Sequence, residues 1–370
     1  QKANLYECFL PQAWSNTNEQ GVRGFLHPEG VYADSSGGDL RQAIYLRLRA
    51  HYQFQNERAL FPIGNRSKFS TNIFGTKLTT PKFDNIANLF VPQTIDGCYQ
   101  TAGERLVGGI KNDQDEWNIE GHPDRVIQVT AHELALFAQL YDKAGIDPIA
   151  ARLPALHAKQ LLTVLTKFAT QSECLGDLKG EYTSTIMFDE TVAQREGTTH
   201  RKTSFSQDTS QWVVSGPHFF VGNLFHQTPK EICETHRAYD GINLVNIPDD
   251  YLPRTNYLPA CSLDDYYART PKVSWIEKGE TQAKRVTEYY RVLNREMLAQ
   301  SSERTLITAL VPKNISHINT CLGTAFKNPQ RMLDFYSMTL SLPLDYRVKS
   351  TGMGHANTAL VNQLPIVSNH

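Results

Sequence analysis

No window of this 370-residue chain approaches the run of roughly 18 apolar residues that a membrane span needs, so no membrane segment is expected. The six cysteines (Cys8, Cys98, Cys174, Cys233, Cys261 and Cys321) stand singly, with no C-x-x-C pair. Neither a zinc ribbon nor a dense disulfide scaffold is therefore indicated, and free thiols in a reducing cytosol are expected. Excess charge is also missing: the net formal charge is −1, which argues against a histone-like coating protein but leaves room for local basic patches. There is no internal repeat and no low-complexity tract. There is also no G-x-S-x-G, no P-loop, no H-E-x-x-H and no Rossmann glycine fingerprint, so no self-contained catalytic centre is written in the chain. No signal peptide precedes Gln1, and QKANLYECFLPQAW reads as the middle of an amphipathic helix, as expected of a piece cut from a longer polypeptide.

What is present is a globular composition, 40% hydrophobic, 20% charged and 10% aromatic, in a chain long enough for two or three domains. Two segments are locally basic: residues 23–68 carry seven Lys/Arg against four Asp/Glu, and residues 301–370 carry six against three.

The pattern predicts α/β over residues 1–80 followed by α+β. A helix from Asn4 to about Trp14 leads through a polar loop, Ser15–Gly21, to an apolar run at Val22–Leu26. The turn-rich HPEGVYADSSGGD follows. Asp39 is then expected to cap a helix with Leu40, Ile44, Leu48 and Tyr52 on its apolar face. Strands are expected near Tyr52–Gln55 and Phe69–Phe74, separated by the loop around Leu60–Lys68. Gly37-Gly38 before a helix invites a phosphate cradle, but a turn plus N-cap is the stronger reading.

Residues 81–179 read as a helical spacer or insertion. Its first helix, Val129–Gly145, has Leu134, Phe137, Leu140 and Tyr141 on one face, and LPALHAKQLLTVLTKFA supplies a second. His132-Glu133 is not a metal motif because position 136 is Leu136, so no metal is expected. From Gly180 onward, short strand-like runs (STIMF, QWVVSG, HFFVGN, INLVNI, TLITALVP, LPIV) alternate with turns. Two helices are expected among them, KRVTEYYRVLNREMLA and PQRMLDFYSMTLSL; in the first, Val286, Tyr290, Leu293 and Met297 would face a core.

The stretch GFLHPEGVYADSSGGDLRQAIYLRLRAHYQFQNERALFPIGNRSKFSTNIFGT resembles the segment that follows the Asn-Pro-Pro-aromatic motif in adenine-N6 DNA methyltransferases. VVSGPHFFVGN, IPDDYLPRTNY, SSERTLITALVP and KSTGMGHANTALVNQLPI are similar to the recognition region of large single-chain methylases of type IIG restriction–modification and phage-defence systems. The order of these motifs carries the resemblance; residues 81–179 contribute least. It implies a bacterial cytosolic protein acting on double-stranded DNA. Its parts would be the C-terminal strands and helices of a Rossmann-like methyltransferase sheet (1–80), the spacer (81–179) and an α+β target-recognition domain (180–370). S-adenosylmethionine would be the cofactor of the full-length parent. The glycine-rich loop that binds it and the Asn-Pro-Pro-aromatic motif are absent, so a missing N-terminal catalytic part of the same polypeptide is the implied partner, and this chain alone should not methylate.

Adenine N6 is reached only when the base leaves the stack and is held by aromatic faces. The resemblance assigns one such face to the loop containing Leu60-Phe61-Pro62, hence to Phe61, with Phe69 as competitor. Lys68 and Arg66 are candidates for a phosphate beside the extruded nucleotide, and His27 lies near a strand end where α/β sites form, though a structural role suits it better. For target reading the candidates are side chains able to fork onto base edges. Arg291 and Arg295 are expected on one helix stripe, with Glu288 and Glu296 near enough to make it a salt-bridge ladder instead. Arg304 lies in Ser301–Thr305, Arg254 follows Pro253, and Arg347, Lys349, His355 and Asn357 lie in the basic, glycine-containing 346–357 stretch. Two alternatives remain open: a non-catalytic DNA-binding specificity subunit that docks on a separate methylase or nuclease, and a scaffold without base readout.

Overall fold

The opening elements form where the residue pattern places them. Helix α1 (Leu5–Ser15) starts after Asn4, and strand β1 (Arg23–Pro28) follows the polar loop. The computed structural model describes residues 4–16, 18, 20–100, 102–103, 105–171, 173–235, 238–300 and 302–367. They fall into two units, Gln1–Gln171 with Ser350–Gly352 and Ser172–Lys349 with Met353–His370.

In the first unit, short helices α2 (Gly30–Ala33) and α3 (Gly38–Tyr45) connect β1 to β2 (Leu48–Gln55). The helix expected to run on through Leu48 stops at Tyr45, because Leu48 already lies in the ladder with β3 (Lys68–Phe74). Asp39 sits in the first turn of α3 and does not cap it; Gly37 holds that position. A side chain at Gly37 would come within 2.9 Å of the Arg41 guanidinium and 3.0 Å of the Val31 carbonyl. The Ser-Ser-Gly-Gly segment is therefore a tight turn packed against Arg41, and no phosphate cradle remains.

Residues 81–179 are not a separate helical spacer. Strands β4 (Lys82–Leu89) and β5 (Ile127–Thr130) join the same five-stranded sheet, in the order β1-β3-β2-β4-β5. The β-branched and aromatic content of these runs completes a hydrogen-bond ladder that an isolated helical insertion would have left open. Both β1 and β2 run antiparallel to β3, and β4 runs parallel to β2. The carboxyl ends of β1, β2 and β4 therefore point to one side of the sheet. Phe54, Phe69, Ile86, Leu89 and Cys98 form a core on one face. Helices α4 (Gln93–Gln100), α5 (Ala131–Tyr141) and α6 (Gln160–Ala169) complete the unit. The expected face of α5 is buried (Leu134, Phe137, Leu140, Tyr141), and Thr130 with Glu133 forms its capping box. His132 thus flanks a capping residue.

The second unit contains a four-stranded antiparallel sheet, β13-β12-β15-β6, and three two-stranded ladders. Its elements are β6 (Tyr182–Thr185), α7 (Glu190–Arg195), β7 (Thr199–Phe205), β8 (Val213–Val214), β9 (Gln227–Pro229), β10 (Tyr239–Gly241), β11 (Arg254–Pro259), α8 (Leu263–Ala268), β12 (Arg291–Arg295), β13 (Thr308–Val311), β14 (Ser316–His317) and β15 (Cys321–Phe326), then α9 (Pro329–Thr339), α10 (Leu342–Lys349) and α11 (Thr358–Asn362). One core gathers Trp212, Phe219, Leu293 and Ile315; another gathers Phe188, Tyr266, Trp275 and Val286.

Several sequence expectations fail in this unit: HFFVGN and LPIV form no strand, only the isolated bridges Phe220–Asn223 and Cys174–Pro365. The helix over 284–299 is instead a single 3-10 turn, Val286–Glu288, followed by β12. β12 pairs with β13 on one side and β15 on the other. Those two ladders outweigh a helical apolar stripe, since propensity is a weak prior against tertiary pairing. INLVNI forms no strand; Leu244 and Val245 are exposed in a loop.

Candidate functional site at the carboxyl ends of the parallel strands

Alternation along β2 sends His51, Gln53 and Gln55 to one face. Their register partners on β3 are Asn72, Ser70 and Lys68, which share it. That face is polar yet closed to water, so each group must find a partner. Glu29, just past β1, is 8% exposed and supplies the charge. Its carboxylate accepts from His51 Nε2 at 3.0 Å and from Gln53 Nε2 at 3.1 Å, and Ser70 bonds to it as well. Burial alone would push this carboxyl up. The facing His51 and the bonds from His51, Ser70 and Gln53 outweigh that and hold it down at about 2. His51 Nδ1 meets Asn85 Oδ1 of β4 at 2.6 Å, and Gln55 donates to Asn88 Oδ1 at 2.8 Å.

His27 belongs to the same network in a structural role. Tyr32 donates to Asn72 Oδ1 at 2.6 Å, which leaves the Asn72 amide nitrogen to donate to His27 Nε2 at 3.0 Å. His27 Nδ1 then donates to the Pro28 carbonyl at 2.8 Å, and the ring stacks on Tyr6. Burial keeps this imidazole neutral by lowering its pKa.

The loop after β2 carries the aromatic candidates. Asn56 is fully buried and pins the loop: its side chain accepts from Phe61 N at 3.0 Å and donates to the carbonyls of Phe61 and Ile63 at 2.9 Å each. The Phe61 ring is 38% exposed and stands edge-on to Phe69, with centroids 5.0 Å apart. Phe69 is buried and stacked on Phe54. Of the two candidates, Phe61 is the one presented to solvent. Arg66 is exposed in the same loop. Lys68 turns inward: Nζ donates to the Gly352 carbonyl at 2.8 Å, and burial, opposed by Glu29, brings its pKa down to about 8.

The candidate base readers of the second unit are mostly engaged in the fold. Arg291 is 1% exposed in the middle of the sheet and donates to the Ile315 carbonyl, and burial lowers its pKa to about 10. No helix stripe exists to place it beside Arg295. Arg295 lies over Phe219 and Phe220 and donates to the Phe219 carbonyl. Arg254 lies 4.4 Å over the Phe205 ring. Arg304 sits 3.5 Å from Asp345 and donates to the Leu340 carbonyl at the end of α9; Ser301 of its loop lies outside the described residues. The 346–357 stretch starts in α10, which ends at Lys349; Arg347 there is 1% exposed, and Lys349 donates to the Ser302 carbonyl at 3.0 Å. Only His355 and Asn357 among the eight are exposed. His355 pairs with Glu296 at 2.8 Å, and Asn357 caps α11.

Sequence reasoning missed Glu29, His51, Gln53, Gln55, Asn56 and Asn88. The signal was available in LRAHYQFQ, where a polar residue recurs at every second position of a strand that the sheet buries on both faces.

No protein-family model matches the chain, and no curated protein does. Among solved structures, the chain is similar to the type IIG restriction endonuclease BpuSI at 8% identity and a TM-score of 0.30, over all of this chain and 42% of that one. It is also similar to the type IIL restriction–modification enzyme MmeI, solved in complex with DNA, at 8% identity and a TM-score of 0.37, over 91% of this chain and 38% of that one. The chain thus spans about two fifths of the length of these structures. Among the described residues, no helix is long and apolar enough to cross a membrane and no cluster of ligating side chains is placed to hold a metal ion.

Proposed function

We propose that this chain is part of a site-specific, S-adenosylmethionine-dependent adenine-N6 DNA methyltransferase of a restriction–modification or phage-defence system. The first unit would supply the later strands of the catalytic sheet and one wall of the flipped-base pocket; the second would read the target. The order of the sequence motifs supports this reading, and the observation that carries it is Phe61. An aromatic ring held by a buried asparagine and presented at the carboxyl edge of parallel strands is suited to stack on an extruded base. Arg66 in the same loop is free to approach a phosphate. The inward Lys68 would order the loop's base through Gly352.

Among the described residues, none is left open to hold S-adenosylmethionine. The polar groups at the strand ends are bonded to one another, and the one glycine pair before a helix is filled by Arg41. Cofactor binding therefore falls to the rest of the parent, and no chemical step is assigned to this chain. The second reading, a non-catalytic DNA-binding specificity subunit, draws on that same observation.

Modification-sensitive sequencing of host DNA, with the full-length gene present or absent, tests the proposal. N6-methyladenine at one short motif that depends on the gene and falls sharply with Phe61→Ala is the expected result. Motif-specific DNA binding without any methylation would transfer the chain to the subunit reading.

A further inference from the structure

The second unit contains a cavity of about 790 Å3 bounded by the 277–290 segment, Lys313-Asn314 and the junction of β15 with α9. Its floor is apolar and buried, formed by Phe326 and Met332. Its rim is not. Tyr290 is 51% exposed, and Lys313 Nζ lies 5.9 Å from the centre of its ring. Lys278 and Lys327 stand on the same rim, exposed, and among the described residues the side chains of Lys278, Lys313 and Lys327 make no hydrogen bond or ion pair.

The acidic side chains of the cavity are already engaged. Glu277 accepts from Trp275 Nε1 and from the Tyr289 hydroxyl, each at 2.9 Å; Glu280 pairs with Lys284 at 3.2 Å; Glu288 accepts from the Arg285 backbone at 2.7 Å. On this cavity Lys278, Lys284, Lys313 and Lys327 face Glu277, Glu280 and Glu288, four lysines against three glutamates and so a net charge of +1, with the half-exposed Tyr290 ring beside Lys313. A ligand complementary to that excess and that ring is a planar ring joined to an anion.

We propose that this cavity is a nucleotide site: the base stacks on Tyr290, and the phosphate is held by Lys313 with Lys278 and Lys327. The volume falls within the roughly 300–1,000 Å3 of ordinary small-ligand sites, and an exposed ring among lysines is the pairing that binds single nucleotides and unpaired strands. Neither the Phe61 loop nor the methylation reading is needed for it. The same chemistry has two sources, a free nucleoside phosphate or a nucleotide within a single strand.

Titration of the whole chain with deoxyadenosine monophosphate and with a short single-stranded oligodeoxynucleotide, followed by calorimetry, tests the site. At least one of the two should bind. Tyr290→Ala should weaken it about tenfold, a loss of about 1.4 kcal/mol, Lys313→Gln should weaken it and flatten its salt dependence, and Tyr290→Phe should restore it. Binding of the mononucleotide identifies the free source; binding of the oligonucleotide alone identifies the strand. Absence of both up to millimolar concentration overturns the proposal, as does affinity unmoved by Tyr290→Ala or inorganic phosphate binding as tightly as the nucleotide.

Discussion

His51 donates through Nε2 to Glu29 Oε1 across 3.0 Å, with 1% of His51 and 8% of Glu29 exposed. A buried carboxylate with three side-chain donors cannot lose its charge without leaving those donors unmatched, so Glu29→Gln should destabilise the chain by about 3–5 kcal/mol at neutral pH. The folded carboxyl titrates at about 2 against an ordinary 4.5. Its contribution is therefore complete above pH 4.5 and disappears as the pH falls from there toward 2. Urea-unfolding free energies of natural and variant chains should converge over that window; parallel pH curves would contradict the pairing.

Lys68 has the opposite sign. Its folded pKa of about 8 lies below the ordinary 10.5, so the folded state carries a charge cost that is whole below pH 8 and gone above 10.5. Lys68→Met should be more stable than the natural chain at pH 7, by up to about 3 kcal/mol, and the advantage should vanish on titration to pH 10.5. A variant less stable throughout would show that the bond to the Gly352 carbonyl outweighs the burial.

Phe61 and Phe69 touch, yet their substitutions should separate. Phe69→Ala removes a buried ring and is expected to cost about 3–5 kcal/mol. Phe61→Ala should change stability by under about 1 kcal/mol while abolishing the proposed base stacking. Thermal unfolding measures the first difference, and fluorescence of a 2-aminopurine at the target adenine, with the full-length parent, measures the second.

Arg291 is buried without a carboxylate, and its Nε and Nη1 find no hydrogen-bond partner among the described residues. Arg291→Met should therefore leave stability within about 1 kcal/mol of the natural chain or raise it, with no loss of DNA affinity attributable to a base contact. A variant that folds normally but loses sequence-specific binding would return Arg291 to the readout surface.

The elements with one clear period were legible in the sequence: α1, α5 and α9 follow the helical spacing of their apolar residues, and β3 was expected where it forms. Only the second half of β2 was, because Leu48 and Tyr52 also match a helical stripe with Leu40 and Ile44. β12 was not legible, because Val286, Tyr290, Leu293 and Met297 match a helical stripe while the deciding hydrogen bonds come from β13 and β15, residues 308–326. The basic residues misled for a related reason: Arg291 and Arg347 look like surface cations until strand pairing and helix packing turn them inward. The Glu29–His51–Asn85 chain joins residues 22 and 34 positions apart, a relationship set by the strand order β1-β3-β2-β4 and by nothing local.

β1 is the edge strand of its sheet, pairing among the described residues with β3 and no other strand, and Val22 and Leu26 stand 72% and 55% exposed beside it. Such an edge recruits any extended segment within reach. For anyone purifying this chain by itself, that makes β1 the site where strand-to-strand self-association and turbidity would begin, and a charged residue at Leu26 the simplest remedy.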